Sequence, residues 1–284
     1  MRLGLLWTLM VVVVAVPAFA GTIVTAPDLG SASSFGLLGG TISDTGVSVV
    51  DGYVGATTTV TGFPPGTVKF PFTVYPAPSD PTVTAAYNDF ITAYNLAFSD
   101  ADTPPTLSVD DLTENRTFYG NNVYKFTATD VSSTAGITLI FDAQSVSSNV
   151  FIIKIPQDLT INGPLTFDLI NGALSSNIYW IVGRTASITA VTVPQTFEGS
   201  ILAGTSFSIA ANAGPGGSGV LGGTIDGCVF VETANTLGGM TYVNGCRAAG
   251  VAPVPEPESS GLVALGCLLG ALRLRKFRSV RQTR

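Results

Sequence analysis

The chain has 284 residues, of which 46% are hydrophobic and only 11% charged; 13 Lys and Arg stand against 19 Asp and Glu, and there is no histidine. Lack of histidine excludes His-based triads and removes the commonest metal ligand and near-neutral general base. The acidic balance argues against nucleic acid, whose phosphates are bound by Lys and Arg that displace counterions.

Residues 1–20 read as an export signal. Arg2 precedes an unbroken apolar run, residues 3–16, and Ala18-Phe19-Ala20 offers small residues at the cleavage positions. The run is shorter than the ~20 residues of a membrane-spanning helix. Signal peptidase is therefore expected to cut between Ala20 and Gly21.

Residues 21–250 read as one domain with no internal linker, and hold six basic against seventeen acidic residues. Abundant Gly, Thr, Ser and Val with scarce charge point to many short strands joined by tight turns. One segment breaks that pattern. In DPTVTAAYNDFITAYNLAFSDA, Asp80 can cap a first turn and Pro81 suits the first helical position. Val83, Tyr87, Phe90, Tyr94 and Phe98 then recur on one side. The spacing predicts a helix over about 80–100 that lies along the strands and covers one sheet.

The polar stretch after it carries Asp100, Asp102, Asp110, Asp111 and Glu114. These acids are the one candidate for catalysis, of the polysaccharide-degrading kind, but solvated charge is the ordinary reading of such a loop. No metal-ligand spacing is present. The chain is read as a non-enzyme without metal or cofactor.

From residue 122 the strands repeat. NVYKF, NVFII, NIYWI, SILA and GCVFV align on Val123, Val150, Ile178, Ile201 and Cys228, at intervals of 27, 28, 23 and 27 residues. A second row, TLIF, TFDL, SITA, SIAA and TLGG, starts at Thr138, Thr166, Ser187, Ser208 and Thr236. Two rows advancing together at a period in the twenties signal a parallel solenoid, in which stacking closes a core that no coil can close alone. Cys228 and Cys246 form a possible disulfide, though spacing does not tell how near they come.

At the C-terminus, residues 251–284, Pro255-Glu256-Pro257 precedes a short apolar helix over 261–272 and a basic tail with Arg273, Arg275, Lys276 and Arg278. Twelve apolar residues suit a temporary membrane contact better than a lasting span, with the basic cluster on the cytoplasmic side. The order of motif, helix and basic tail resembles the PEP-CTERM sorting signal of Gram-negative bacteria. That resemblance implies cleavage by an exosortase-type membrane protease and release to the cell surface or extracellular matrix.

Between the two ends, LGSASSFGLLGG (29–40), TGFPPGTV (61–68), the helix from Asp80, NVFII, NIYWIVG and FEGSILAGTSFSIAANAG (197–214) occur in an order similar to that of the ice-binding-like family of secreted microbial proteins. The resemblance covers nearly the whole domain. It implies an irregular right-handed three-faced parallel β-helix with one long α-helix alongside. It also implies binding of ice crystals through one flat sheet face, with inhibition of growth or recrystallisation.

Strand alternation selects a face. Placing Leu139, Phe141, Phe167, Leu169, Ile188, Ile209 and Leu237 inward leaves Thr138, Thr166, Ser187, Thr189, Ser208, Ala210, Thr236 and Gly238 outward, with Asp142 and Asp168 in the same row. A competing face would use Thr57, Thr58, Thr59, Thr61, Thr196 and Ser200. The alternative function is a cell-surface or matrix adhesin whose flat face meets polysaccharide or protein.

Overall fold

The computed structural model describes residues 24–75, 78, 80–99, 107–109, 111–133, 136–163, 165–189, 196–210, 212–213, 219–221, 223–239 and 241–246. The start with Ala20 and Gly21 and the tail with Pro255, Glu256 and Pro257 lie outside them. The described residues are mainly β, with one α-helix, α1 (Pro81–Ser99), and the strands form a parallel β-helix with three sides. Among the described residues one strand pair is antiparallel, the hairpin Asn212–Ala213 with Gly219–Leu221.

The first side stacks Leu107–Val109, Asn122–Phe126, Phe151–Ile155, Ile178–Val182, Ser200–Ala203 and Val229–Val231. The second stacks Val131–Ser133, Leu159–Asn162, Thr185–Thr189, Ser206–Ile209 and Ala234–Leu237. Strand Phe35–Asp44 then continues both stacks. Its Leu37 pairs with Val229 on the first side and its Thr41 with Ala234 on the second. Gly40 makes the corner between them possible: a Cβ there would lie 2.6 Å from the Thr233 carbonyl oxygen. Tyr53–Thr61 follows in the same way.

The third side holds Arg116–Tyr119, Thr138–Asp142 and Thr166–Ile170, then Thr196–Glu198, Thr224–Asp226, Tyr242–Val243, Val49–Val50 and Thr67–Val68. The N-terminal coils therefore stack on the C-terminal coil, while α1 carries the chain to the opposite end of the stack.

Inward columns fill the interior. On the first side Tyr124, Ile153, Trp180, Ile201, Val229, Leu37 and Val54 are successive register partners, and all belong to one buried cluster. The NIYWIVG stretch is one rung of this ladder: Trp180 is fully buried, its indole donates to the Glu198 carbonyl oxygen at 2.9 Å, and its ring meets Phe197 at 5.2 Å.

A second cluster lies between the outer surface of the first side and α1. Asp80 caps the helix by accepting from the Thr82 amide at 2.8 Å. Val83, Ala86, Phe90, Ala93 and Tyr94 are buried against Val123, Ile152, Ile181, Leu202 and Phe230, whereas Phe98 stays 39% exposed. Tyr87 and Tyr94 donate to corner carbonyls, Glu232 at 2.8 Å and Val182 at 3.2 Å. Burial, then the charge of Glu232, pushes the Tyr94 phenol up to about 12. Full burial of Val83 and of Phe90 is worth roughly 1.5–3 kcal/mol each.

The structure corrects the alignment expected for the first row. Val123 is the register partner of Ile152, not Val150, and Ile201 that of Trp180, not Ile178. As a result the series Val123, Val150, Ile178, Ile201, Cys228 mixes residues facing the helix with residues facing the interior. The cause is physical. A one-residue slip turns a strand over, and alternation marks the slip only where one surface is wet. Here α1 keeps both surfaces apolar.

Cys228 and Cys246 are joined as a disulfide with Cα atoms 4.6 Å apart, closing a sequence separation of 18 residues. In chain-entropy terms a loop of that size contributes about 3 kcal/mol. It holds the last described coil against Ser200, whose hydroxyl accepts from the Cys228 amide at 3.3 Å.

Candidate functional site

The second side is built of short strands with a T/S-apolar alternation, so each buries one set of side chains and offers hydroxyls outward. Register partners form a seven-rung column: Ser132, Thr160, Ser187, Ser208, Thr236, Ser43 and Thr61. Their neighbours Leu159, Ala186, Phe207 and Ile42 are buried beneath. At ~4.8 Å between strands the column runs for about 29 Å. Its residues carry no charge.

A parallel column, about 7 Å along the strands, comprises Thr185, Ser206, Ala234, Thr41 and Thr59. On the other flank Asn162 pairs with Thr189, and Ala210 follows Ile209 with its amide donating to the Ile188 carbonyl at 3.0 Å. At the corner that precedes this side Arg184 meets Asp158 at 2.8 Å.

The hydroxyls are held in place from rung to rung. Ser208 Oγ donates to Ser187 Oγ at 3.3 Å, Thr185 and Ser206 hydroxyls lie 3.2 Å apart, and Thr189 Oγ1 donates to Asn162 Oδ1 at 2.9 Å. Asn162 Nδ2 in turn donates to Ser132 Oγ at 3.0 Å. Such ties add to the stiffness that β-branching already gives threonine. The surface can order water over a regular array without first losing side-chain freedom.

Of the residues expected on one face, Ser187, Thr189, Ser208, Ala210 and Thr236 do share this side. Gly238 is buried at its edge. Thr138 and Thr166 are partners of each other on the third side, together with Asp142 and Asp168. The expected row thus spliced two sides, because TLIF, TFDL and SITA carry the same alternation and alternation does not tell which side of a three-sided coil a strand builds. The separation also removes both aspartates from the hydroxyl surface. Asp142 is tied into a corner, accepting from the Gln144 amide at 2.7 Å and from Asn171 Nδ2 at 2.8 Å.

The competing grouping does not assemble. Thr59 and Thr61 extend the hydroxyl side, Thr57 and Thr58 fall where the pairing with Phe35–Asp44 shifts register, Thr196 belongs to the third side, and Ser200 is 1% exposed. Sequence reasoning missed Ser132, Thr160 and Ser43, and placed Thr61 on the competing face. The signal was there: Ser132, Thr160, Ser187, Ser208 and Thr236 are spaced by 28, 27, 21 and 28 residues.

In the loop after α1, Asp111 accepts from the Leu112 amide at 2.7 Å, and Glu114 pairs with Arg116 at 3.6 Å. Asp100, Asp102 and Asp110 lie outside the described residues.

A family model described as ice-binding-like matches residues 37–243. The chain belongs to the ice-binding-like family. No curated protein matches its sequence. Among solved structures, an ice binding protein from an Antarctic biological consortium is 27% identical with a TM-score of 0.66, over 80% of this chain and 95% of that one. An ice-binding protein of the Antarctic ascomycete Antarctomyces psychrotrophicus is 29% identical with a TM-score of 0.64, over 78% and 99%. This ice-binding-like chain also shares its fold with an ice-binding protein from an Arctic yeast, at 22% identity and a TM-score of 0.58, over 81% and 97%.

Proposed function

We propose that this protein binds ice crystals through the second side, with Ser132, Thr160, Ser187, Ser208, Thr236, Ser43 and Thr61 as the central column and Thr185, Ser206, Thr41, Thr59 and Thr189 beside it. The observation that carries the reading is the uncharged seven-rung hydroxyl ladder on a rigid sheet. A charged group holds water in its own geometry, whereas short hydroxyls at a fixed repeat let surface water take up the crystal's. Binding is then a sum of many weak water-mediated contacts. Family membership and the solved relatives support it.

Growing an ice hemisphere in a solution of the fluorescently labelled protein tests the reading. Incorporation into the ice, with faceted crystals in place of round discs, is the expected result. Exclusion of the label with unaltered crystal habit rejects it.

The ends fit a surface-delivered protein. Residues 1–20 direct export with cleavage after Ala20. Residues 251–284, through Pro255-Glu256-Pro257, the apolar segment 261–272 and the basic tail, hold the chain briefly at the membrane until an exosortase-type protease releases it to the surface or matrix. Among the described residues no helix is long and apolar enough to cross a membrane. Mass spectrometry of the exported protein is expected to find a chain starting at Gly21 and lacking 261–284; recovery of the intact tail rules the processing out.

A further inference from the structure

On the third side, Glu198 and Asp226 are register partners on adjacent strands, so their side chains stand next to each other on one face of the sheet. Asp226 is a meeting point of separate coils. Its Oδ2 accepts from Ser175 Oγ at 2.7 Å, 51 residues earlier in a corner helix, Ser175–Asn177, and its Oδ1 accepts from Asn244 Nδ2 at 3.0 Å. Two ionised carboxylates can only accept, so a direct tie between these neighbours needs a proton. Glu198 is partly exposed, but its Oε2 is buried with no hydrogen-bond partner, so an ionised Glu198 would carry part of its charge on an oxygen that no donor meets.

The surrounding charges all act in one direction. Asp226 faces Glu198 across the strand pair, and Thr166–Ile170, which packs on Thr196–Glu198, adds Asp168. Strands Thr166–Ile170, Thr196–Glu198, Thr224–Asp226 and Tyr242–Val243 contain no Lys or Arg. Lys69, farther along this side, is engaged by Asp51 at 3.4 Å.

We propose that a single proton shared by Glu198 and Asp226 fastens the third side of the β-helix, and that its loss loosens the corner Ser175–Asn177 and the last described strand at Asn244. This rests on the local geometry and is independent of ice binding. Burial first, then the Asp226 charge and the hydrogen bond to it, raises the Glu198 carboxyl from its ordinary 4.5 to about 7. A carboxyl raised in the folded state takes up protons on folding. Its stabilisation is therefore full below about pH 4.5 and is lost as pH rises through about 7.

Thermal unfolding of the full-length protein between pH 5 and 8.5, with amide hydrogen exchange at 175–177 and 244, tests this. The wild-type Tm is expected to fall by about 3–6 °C between pH 6 and 8. Over the same range the corner amides should exchange about tenfold faster after correction for base catalysis, a fall of ~1.4 kcal/mol in the free energy of opening. Glu198→Gln keeps a donor toward Asp226 at every pH and should flatten both trends. An unchanged slope in Glu198→Gln, or no slope in the wild type, overturns the proposal. Should that variant not fold, the 13C titration of the wild-type Glu198 carboxyl decides: a midpoint near 7 supports the shared proton, and one near 4.5 refutes it.

Discussion

Replacing Ser208 by tyrosine is expected to abolish most ice shaping while leaving the fold intact. Ser208 is the middle rung of the seven, with Ser187 on one side and Thr236 on the other. A phenol ring there stands well above a surface of short hydroxyls, and it lifts ice or ordered water from the neighbouring rungs and columns together. The bulk points into solvent, so stability should stay within about 0.5 kcal/mol. Recrystallisation inhibition should weaken by about tenfold or more, equivalent to ~1.4 kcal/mol of lost contact. Thr138→Tyr makes the same change on the third side and serves as the control. Equal loss in both variants, or in neither, would move the binding surface elsewhere; Thr138→Tyr alone being inactive would place it on the third side.

Phe90→Ala is expected to have the largest effect on stability. The ring is fully buried between α1 and the first side, 5.7 Å from Phe230 and 6.0 Å from both Tyr87 and Tyr94. Truncation leaves a cavity between the helix backbone and a sheet whose strands are fixed by their neighbours and cannot collapse inward, so a cost of about 3–5 kcal/mol follows. For a domain of this size that lowers Tm by roughly 10 °C. Calorimetry checks it. A loss under ~1 kcal/mol would mean that the helix rides on the sheet without holding it. Below its Tm the variant should still shape ice, because the hydroxyl columns lie on another side.

The helix was legible because its apolar positions recur every three or four residues and nothing else in the domain does so. The solenoid was legible from the repeat, and the family from motifs spread along the chain. The assignment of strands to sides was not. Val131–Ser133 has three residues, too short to show an alternation of its own, and Thr138 looks like Ser187 when only its own strand is considered. The rung Ser43 was hidden for another reason: its strand takes a partner far along the chain, as in the pairing of Ser43 with Thr236, and no local pattern announces a contact of that range. The apolar outer surface of the first side, covered by α1, removed the inside-outside contrast on which register is read.

The placement of the first coils beside the last has a consequence for how the molecule comes into being. Strand Phe35–Asp44 takes its neighbours from Val229–Val231 and Ala234–Leu237, so a chain emerging in order from its N-terminus holds those first coils without a template until nearly the whole domain has been made. Coils 107–246 can zip progressively, each on its predecessor, at low loop-closure cost; the final closure spans almost two hundred residues and comes late. A nascent or truncated chain stopped before residue 229 would show bare strand edges at both halves, the condition in which parallel sheets pair with the wrong molecule.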